Sequence, residues 1–236
     1  MKIRGRRECK ECGTVWSYYD TSEISCPACG SLHSVGIDDE QTLHTATAAT
    51  LDLTSVRDLI DEAPIDRLAE RAGERARQFT RGYGFIDAGQ LQPLDETYLA
   101  AIELRNVAGE IQRRMNLTDD EEWYFTTLLR ADNGDRPDPQ VVPDSLHAMR
   151  GLAYSTACEA YRSDIRTYLE EYPDAVAAAP LERISNHIRR IQALDGDVAP
   201  EKSEALVSAT RALGAYLIEH EEQQLTILSE RLDSLE

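Results

Sequence analysis

The sequence predicts a mainly α protein, with a small N-terminal β segment followed by an antiparallel all-α helical bundle. Three observations predict it. Two Cys-x-x-Cys motifs crowd the first 29 residues, where β-branched and aromatic residues lie between them. Beyond about residue 53 the apolar positions recur at helical spacing. Proline, glycine and capping residues then fall at the ends of those periodic runs. The implied division is residues 1–36, a linker over 37–52, and a helical body over 53–236.

The first segment takes its form from Cys9, Cys12, Cys26 and Cys29, spaced C-x2-C, thirteen residues, C-x2-C. Each motif makes a tight turn that aims two thiolates at one point, and a hairpin between them completes a tetrahedron. Gly13 and Gly30 follow the second cysteine of each pair, where positive φ is needed, and Pro27 fixes the second turn. This is the pattern of a zinc ribbon, and structural Zn2+ is the expected cofactor. Iron in a rubredoxin-like site is the alternative, although rubredoxins carry a longer stretch between the pairs. Four thiolates leave no open coordination position, so Lewis-acid catalysis is not expected. Thr14 to Tyr19 reads as a strand, Asp20-Thr21-Ser22 as a turn, and Ser31 to Ile37 as a further strand.

In the body, Thr54-Ser55 can cap a short helix and Pro64 suits the first turn of the next. That helix carries Ile65, Leu68, Ala69, Ala72, Ala76 and Phe79 on one face and stops before Gly82. Asp95 to Met115 repeats Tyr98, Leu99, Ile102, Val107 and Ile111. Thr118 and Glu121 form a capping box. Asn133 to Pro143 is a loop, and a long helix runs from about Asp144 to Glu171 and ends at Pro173. The next helix, with Pro180 as a break, precedes Asp195-Gly196-Asp197. The last runs from Glu201 to Leu235, its leucine stripe interrupted at His220 to Gln224.

At 236 residues, with 42% hydrophobic, the chain can bury a sizeable core. Its net charge is −18, from 43 acidic against 25 basic residues, and lysine occurs only as Lys2, Lys10 and Lys202. An acidic chain almost free of lysine suits molar salt, where screening shortens to about 3 Å and self-repulsion costs little. A halophilic origin is therefore expected. No leader or spanning segment is visible, and paired thiol motifs without secretion point to a cytoplasmic protein.

The charge is uneven. Lys2, Arg4, Arg6, Arg7 and Lys10 outnumber the acids before residue 36, so almost all the negative charge lies beyond it. Lys2, Arg4 and Arg6 alternate and would share one face of a strand. With Arg7, Lys10 and Trp16 they are the candidate surface for nucleic acid or another partner, since basic groups beside aromatics suit bases and phosphates. The competing reading docks this basic face on the acidic body, with the aromatics packing the hairpin. Nucleic-acid contact is expected through the ribbon only.

Other features read as structural. Arg81 to Gly89 fails the dinucleotide-binding pattern, and Tyr83 and Phe85 are expected to plug the core. Cys158 reads as a buried small hydrophobe, and His33 as an exposed strand histidine. His44, His147, His187 and His220 are scattered, and no catalytic constellation forms.

The residues Arg6-Arg7-Glu8-Cys9, Cys12-Gly13, Trp16-Ser17-Tyr18-Tyr19 and Cys26-Pro27, Cys29-Gly30 resemble the amino-terminal zinc ribbon of transcription factor B-type proteins. They look still more like the uncharacterised zinc-ribbon proteins of haloarchaea, which join such a head to an acidic helical body. The resemblance implies Cys9, Cys12, Cys26 and Cys29 as zinc ligands and covers only the first 35 or so residues. Paired cyclin-type repeats do not follow it. The expected function is a non-catalytic, zinc-binding interaction protein, whose ribbon meets a protein or ribonucleoprotein of the transcription or translation apparatus. The alternative is a scaffold whose bundle binds partners or forms a homo-oligomer, with the ribbon as its cap. No membrane association is expected.

Overall fold

Three small antiparallel sheets and nine α-helices make up the described residues, 1–235, in a computed structural model. β1 (Lys2–Ile3) pairs with β5 (Thr42–Leu43), with Lys2 opposite Leu43. β2 (Arg6–Cys9) is the middle strand of a second sheet, between β3 (Val15–Ser17) and β4 (Ser34–Gly36). The predicted third strand is thus present but shorter. The first strand turns out to be two strands in different sheets, because the chain changes direction at Gly5. A Cβ there would lie 2.0 Å from Cε2 of Tyr19, so only glycine lets the Tyr19 ring cover the backbone. Lys2, Arg4 and Arg6 therefore do not share the face of one strand.

The expected strand Thr14 to Tyr19 ends early. Ser17 caps a single helical turn, α1 (Tyr18–Thr21), by accepting the Asp20 amide, and Ser22 closes it in the left-handed region. Residues 37–52, read as a linker, are partly packed. They contain β5, and Leu43 and His44 are buried.

The helical body follows its capping chemistry closely. α2 (Thr54–Arg57) is one turn held by Asp132, which accepts the Leu53 amide and pairs with Arg57. α3 (Ile65–Arg81) starts behind Pro64 and buries Leu68, Ala69, Ala72, Ala76 and Phe79, the predicted face. The Asp95 carboxylate accepts the Tyr98 amide at 2.6 Å and opens α4 (Glu96–Ile111). Thr118 and Glu121 form the predicted capping box of α5 (Asp119–Leu128). The predicted loop over 133–143 carries short 3-10 turns, and a further one leads into α6 (His147–Glu171). In α7 (Ala178–Ala193), Pro180 lies inside the first turn and breaks nothing, since the first amides of a helix have no internal acceptor.

The last predicted helix is two, α8 (Pro200–Glu219) and α9 (Gln223–Asp233). His220 adopts φ 57° and reverses the chain, so Leu228 and Leu232 fold back into the core. α4 is buried on almost every side over its first half. It lies between α3 and α6, and α6 in turn packs on α7 and α8.

Two features link these layers. Between α3 and α4, Ala88 and Gly89 both take positive φ, giving a tight hairpin of β6 (Ile86–Asp87) and β7 (Gln90–Leu91). Tyr83 and Phe85, just before it, pack edge to face with each other and against Tyr98, as expected for core plugs. The second feature is a charged cluster inside the bundle. Glu103 of α4 and Arg150 of α6 are essentially without solvent exposure and lie 3.4 Å apart. Tyr124 and Tyr154 both donate their hydroxyls to Glu103. Arg150 also donates to the Pro137 carbonyl at 3.0 Å and to Glu204 of α8. Its guanidinium and that of Arg136 lie over the Tyr154 ring.

Two predictions follow from this packing. Glu103→Ala leaves Arg150 buried beside an incomplete set of acceptors and should cost about 3–5 kcal/mol. The readout is a lower denaturation midpoint with an unchanged denaturant slope. Gly84→Ala would set a Cβ 2.2 Å from the Thr45 carbonyl oxygen, a backbone atom that cannot simply rotate away. It should destabilise by about 1–3 kcal/mol, with the loss of amide protection largest at Thr45 and Ile86.

Candidate metal centre

The two cysteine pairs sit on knuckles of the same construction. In the first, the Cys9 amide donates to the Thr14 carbonyl and the Gly13 amide to the Cys9 carbonyl. In the second, the Cys26 amide donates to the Ser31 carbonyl at 2.9 Å and the Gly30 amide to the Cys26 carbonyl at 2.8 Å. Gly13 and Gly30 have φ of 74° and 73°, the left-handed values that closing each turn requires. The Glu11 amide points at the Cys9 sulfur, 3.4 Å away, as a knuckle amide does toward a thiolate.

All four sulfurs lie within 4.8 Å of one another. The Cys9–Cys29 and Cys12–Cys26 sulfurs are each 3.6 Å apart. A disulfide would bring a pair to about 2.05 Å. A tetrahedral ion with metal–sulfur bonds of about 2.3 Å spaces its ligands by about 3.8 Å. The donor set therefore fits a single tetrahedral metal ion, closed on all four sides by thiolates. Cys9 and Cys26 face inward, whereas Cys12 and Cys29 are exposed at the rim.

Without a cation, four thiols this close cannot all ionise. Hydrogen bonds from the Thr14 side chain and backbone hold Cys12 down at about 6. Cys29 receives a lowering hydrogen bond from the Ser31 backbone, yet the neighbouring thiols and burial push it up to about 12. A divalent ion removes that conflict by neutralising the shared charge, which is why metal binding by such a site releases protons.

The core of this head is Trp16 packed with Cys9 and Cys26. The ring is 7% exposed, and its indole N–H donates to the Glu23 carbonyl at 3.0 Å. Trp16 thus offers no free face for a base or a partner, which corrects its assignment to the binding surface. The strand period explains this. Trp16 and Arg7 lie opposite each other on the inner face of the sheet, while Val15, Glu8 and Val35 line the outer one.

The basic residues are dispersed by the same geometry. Arg7 turns inward and donates to the Ser34 hydroxyl at 2.9 and 3.0 Å. Lys2 reaches across to Glu171 on α6, 2.6 Å away, so it straps the head to the body. Arg6 lies near Asp38 at 3.6 Å and Lys10 near Glu8 at 3.4 Å, both still well exposed. Arg4 is exposed. The outward surface of the sheet is therefore Arg6 and Lys10 with Glu8 around the exposed Val15 and Val35, a smaller and more apolar face than the basic spacing suggests, while Arg4 lies against Gly36. His33 is exposed as expected and meets Glu11 at 3.0 Å.

Sequence reasoning missed the polar groups that hold the head in place. Asp164 of α6 accepts from the Thr45 hydroxyl at 2.7 Å and from the Phe85 amide at 2.6 Å. The Gly89 amide donates to Leu43, and the Thr45 and Ala46 amides to Ile86. A lone aspartate on a long helix gives no sequence signal of such a role. Glu103 did leave one: it falls at the four-residue spacing between Leu99 and Val107 on the buried face. Cys158 is buried, as expected, and burial pushes its thiol up to about 12.

Cys26→Ser should drop the metal content from about one equivalent per chain to near zero and melt β2, β3 and β4. Helical circular dichroism should persist, since the bundle core lies elsewhere. Elemental analysis beside amide protection of Cys9 and Gly36 measures both.

Among the described residues no helix is long and apolar enough to cross a membrane. No curated protein and no solved structure matches the chain. A family profile described as Family of unknown function (DUF7117) matches residues 1–232, and the chain belongs to that family.

Proposed function

We propose that the protein is a zinc-binding, non-catalytic interaction protein of a halophilic cytoplasm. Its ribbon meets a protein or ribonucleoprotein of the transcription or translation apparatus. The observation that carries this reading is the closed four-thiol cluster in a head whose outward sheet face carries exposed valines beside Arg6 and Lys10. Four soft donors at tetrahedral spacing favour zinc, and such a site holds structure while leaving no position for substrate. Val15 and Val35 exposed beside Arg6 and Lys10 make a patch suited to a protein surface carrying acidic and apolar groups. Trp16 contributes through packing alone. Broad phosphate contact is disfavoured, because the chain carries −18 charges and salt weakens the counterion-release term.

A second reading draws on the Lys2–Glu171 strap and the β1–β5 ladder, which fasten the ribbon to the body. In it the bundle is the scaffold and the ribbon its cap. The leucines of α9 are turned inward in this fold, so self-association would use other apolar groups, such as the exposed Trp123 and Val141.

Capture from lysate in molar salt separates the two. Arg4→Glu with Arg6→Glu should reduce partner recovery by about tenfold or more, equivalent to about 1.4 kcal/mol. Cys9→Ser with Cys12→Ser should do the same. Unchanged recovery with both variants would move the function to the bundle.

A further inference from the structure

The strongest unassigned group lies where the ribbon meets the body. His44 follows β5 directly and is 3% exposed. Its backbone is clasped by the N-terminus: the His44 amide donates to the Met1 carbonyl at 2.9 Å, and the Met1 ammonium donates to the His44 carbonyl at 3.1 Å. Its ring is covered by the ribbon through Tyr19, with centroids 4.8 Å apart, and by the edge of Tyr18 at 6.0 Å. On the body side, the Ala88 amide at the β6–β7 turn donates to Nδ1 at 3.3 Å. An Nδ1 that accepts is unprotonated, so the neutral ring carries its proton on Nε2. That Nε2 is buried and has no hydrogen-bond partner. The imidazole is thus wedged between the two parts of the molecule in its neutral form.

We propose that His44 is a pH-sensitive latch, which keeps the ribbon docked on the bundle while neutral and loosens it on protonation. A proton on Nδ1 would face the Ala88 N–H, replacing a hydrogen bond by an opposed pair of donors. It would also place a charge in a dry contact, near the Met1 ammonium. The opposing group is Asp87 of β6, whose carboxylate lies 3.3 Å from Nδ1. Its side chain is 50% exposed, so water screens its attraction. The other charged groups at this junction are Lys2 of β1 and Glu171 of α6, which neutralise each other, and Asp164 of α6, which is engaged by the Thr45 hydroxyl and the Phe85 amide.

Burial lowers the His44 pKa from its ordinary 6.5; Asp87 pulls against it, the N-terminal ammonium adds to the lowering, and a hydrogen bond to the Ala46 backbone pulls the other way. An undocked ribbon would leave His44 at the ordinary value, so the undocked state takes up the proton first. Docking is then complete above that value. It weakens as pH falls through it toward the lowered docked value. The ribbon need not unfold, because the thiol cluster sits at the end of β2 and in two turns, outside the β1–β5 ladder.

The test is hydrogen exchange of the Gly89 amide, which donates to Leu43 of β5, referenced to core amides of α6, from about pH 8 to about pH 5.5. Wild-type protein should lose Gly89 protection several-fold over that range. His44→Gln, which can still accept from Ala88 but does not titrate, should not. Acid release of metal would act on both proteins alike, so an equal loss in both overturns the proposal, as does no loss in either. Asp87→Asn removes the opposing charge and should deepen the wild-type loss. Should His44→Gln already be undocked at about pH 8, the His44 ring titration in the wild type decides. A pKa below the ordinary value upholds the latch, and one at or above it rejects it.

Discussion

The head of this protein is too small to bury a core of its own, and much of its architecture answers that constraint. A segment of about 36 residues cannot remove enough apolar surface from water to offset the entropy of ordering its chain. Its buried centre consists of Trp16 and two of the four cysteines. A metal ion held by the four thiolates would supply the missing cohesion from within, because ligands far apart in sequence would be fixed to one point. The remainder comes from outside. Tyr18 and Tyr19 spread over His44, Lys2 reaches α6, and β1 borrows β5 as its partner strand. The stretch between head and bundle is consequently part of the docking surface.

The bundle is organised around a different necessity. Placing Glu103 and Arg150 in the centre removes two charges from water, which is costly unless every lone pair and N–H group finds a partner. Tyr124, Tyr154, Glu204 and the Pro137 carbonyl answer most of that demand. In doing so they join α4, α5, α6, α8 and the loop before α6 through one cluster. Apolar helices tolerate small shifts and rotations against one another, whereas this arrangement of directional bonds tolerates few. The otherwise uniform stripes of leucine and alanine thereby acquire a unique register.

These two parts divide the surface as well. Negative charge is carried by the body, and the outward face of the ribbon keeps its cations beside exposed valines. Charge and exposure there distinguish a small area from the rest of the molecule. The proposed partner contact lies on the outer sheet face and the proposed latch beneath α1. Loosening the latch would change how that face is held without altering its composition.

The four cysteines, the capping box at Thr118, the helix starts at Pro64 and Asp95 and the buried stripe of α3 were legible in the sequence. Each depends on local chemistry: thiol spacing, side-chain caps and a period of 3.6 residues. The break of the first strand at Gly5 and the reversal at His220 were not, and the inward turn of Trp16 stood only as the competing reading in which the aromatics pack the hairpin. Each depends on which surface lies opposite in three dimensions. Trp16 and Tyr18 differ little as residues, yet the pleat sends one against the thiols while the helical turn after Ser17 carries the other onto His44. The sequence by itself determined the mainly helical body and the thiol cluster, because neighbours within a few residues suffice for both. Only the tertiary structure decided which basic and aromatic side chains stay free. Burial and pairing are properties of contacts such as Lys2 with Glu171 and Thr45 with Asp164, which lie far apart along the chain.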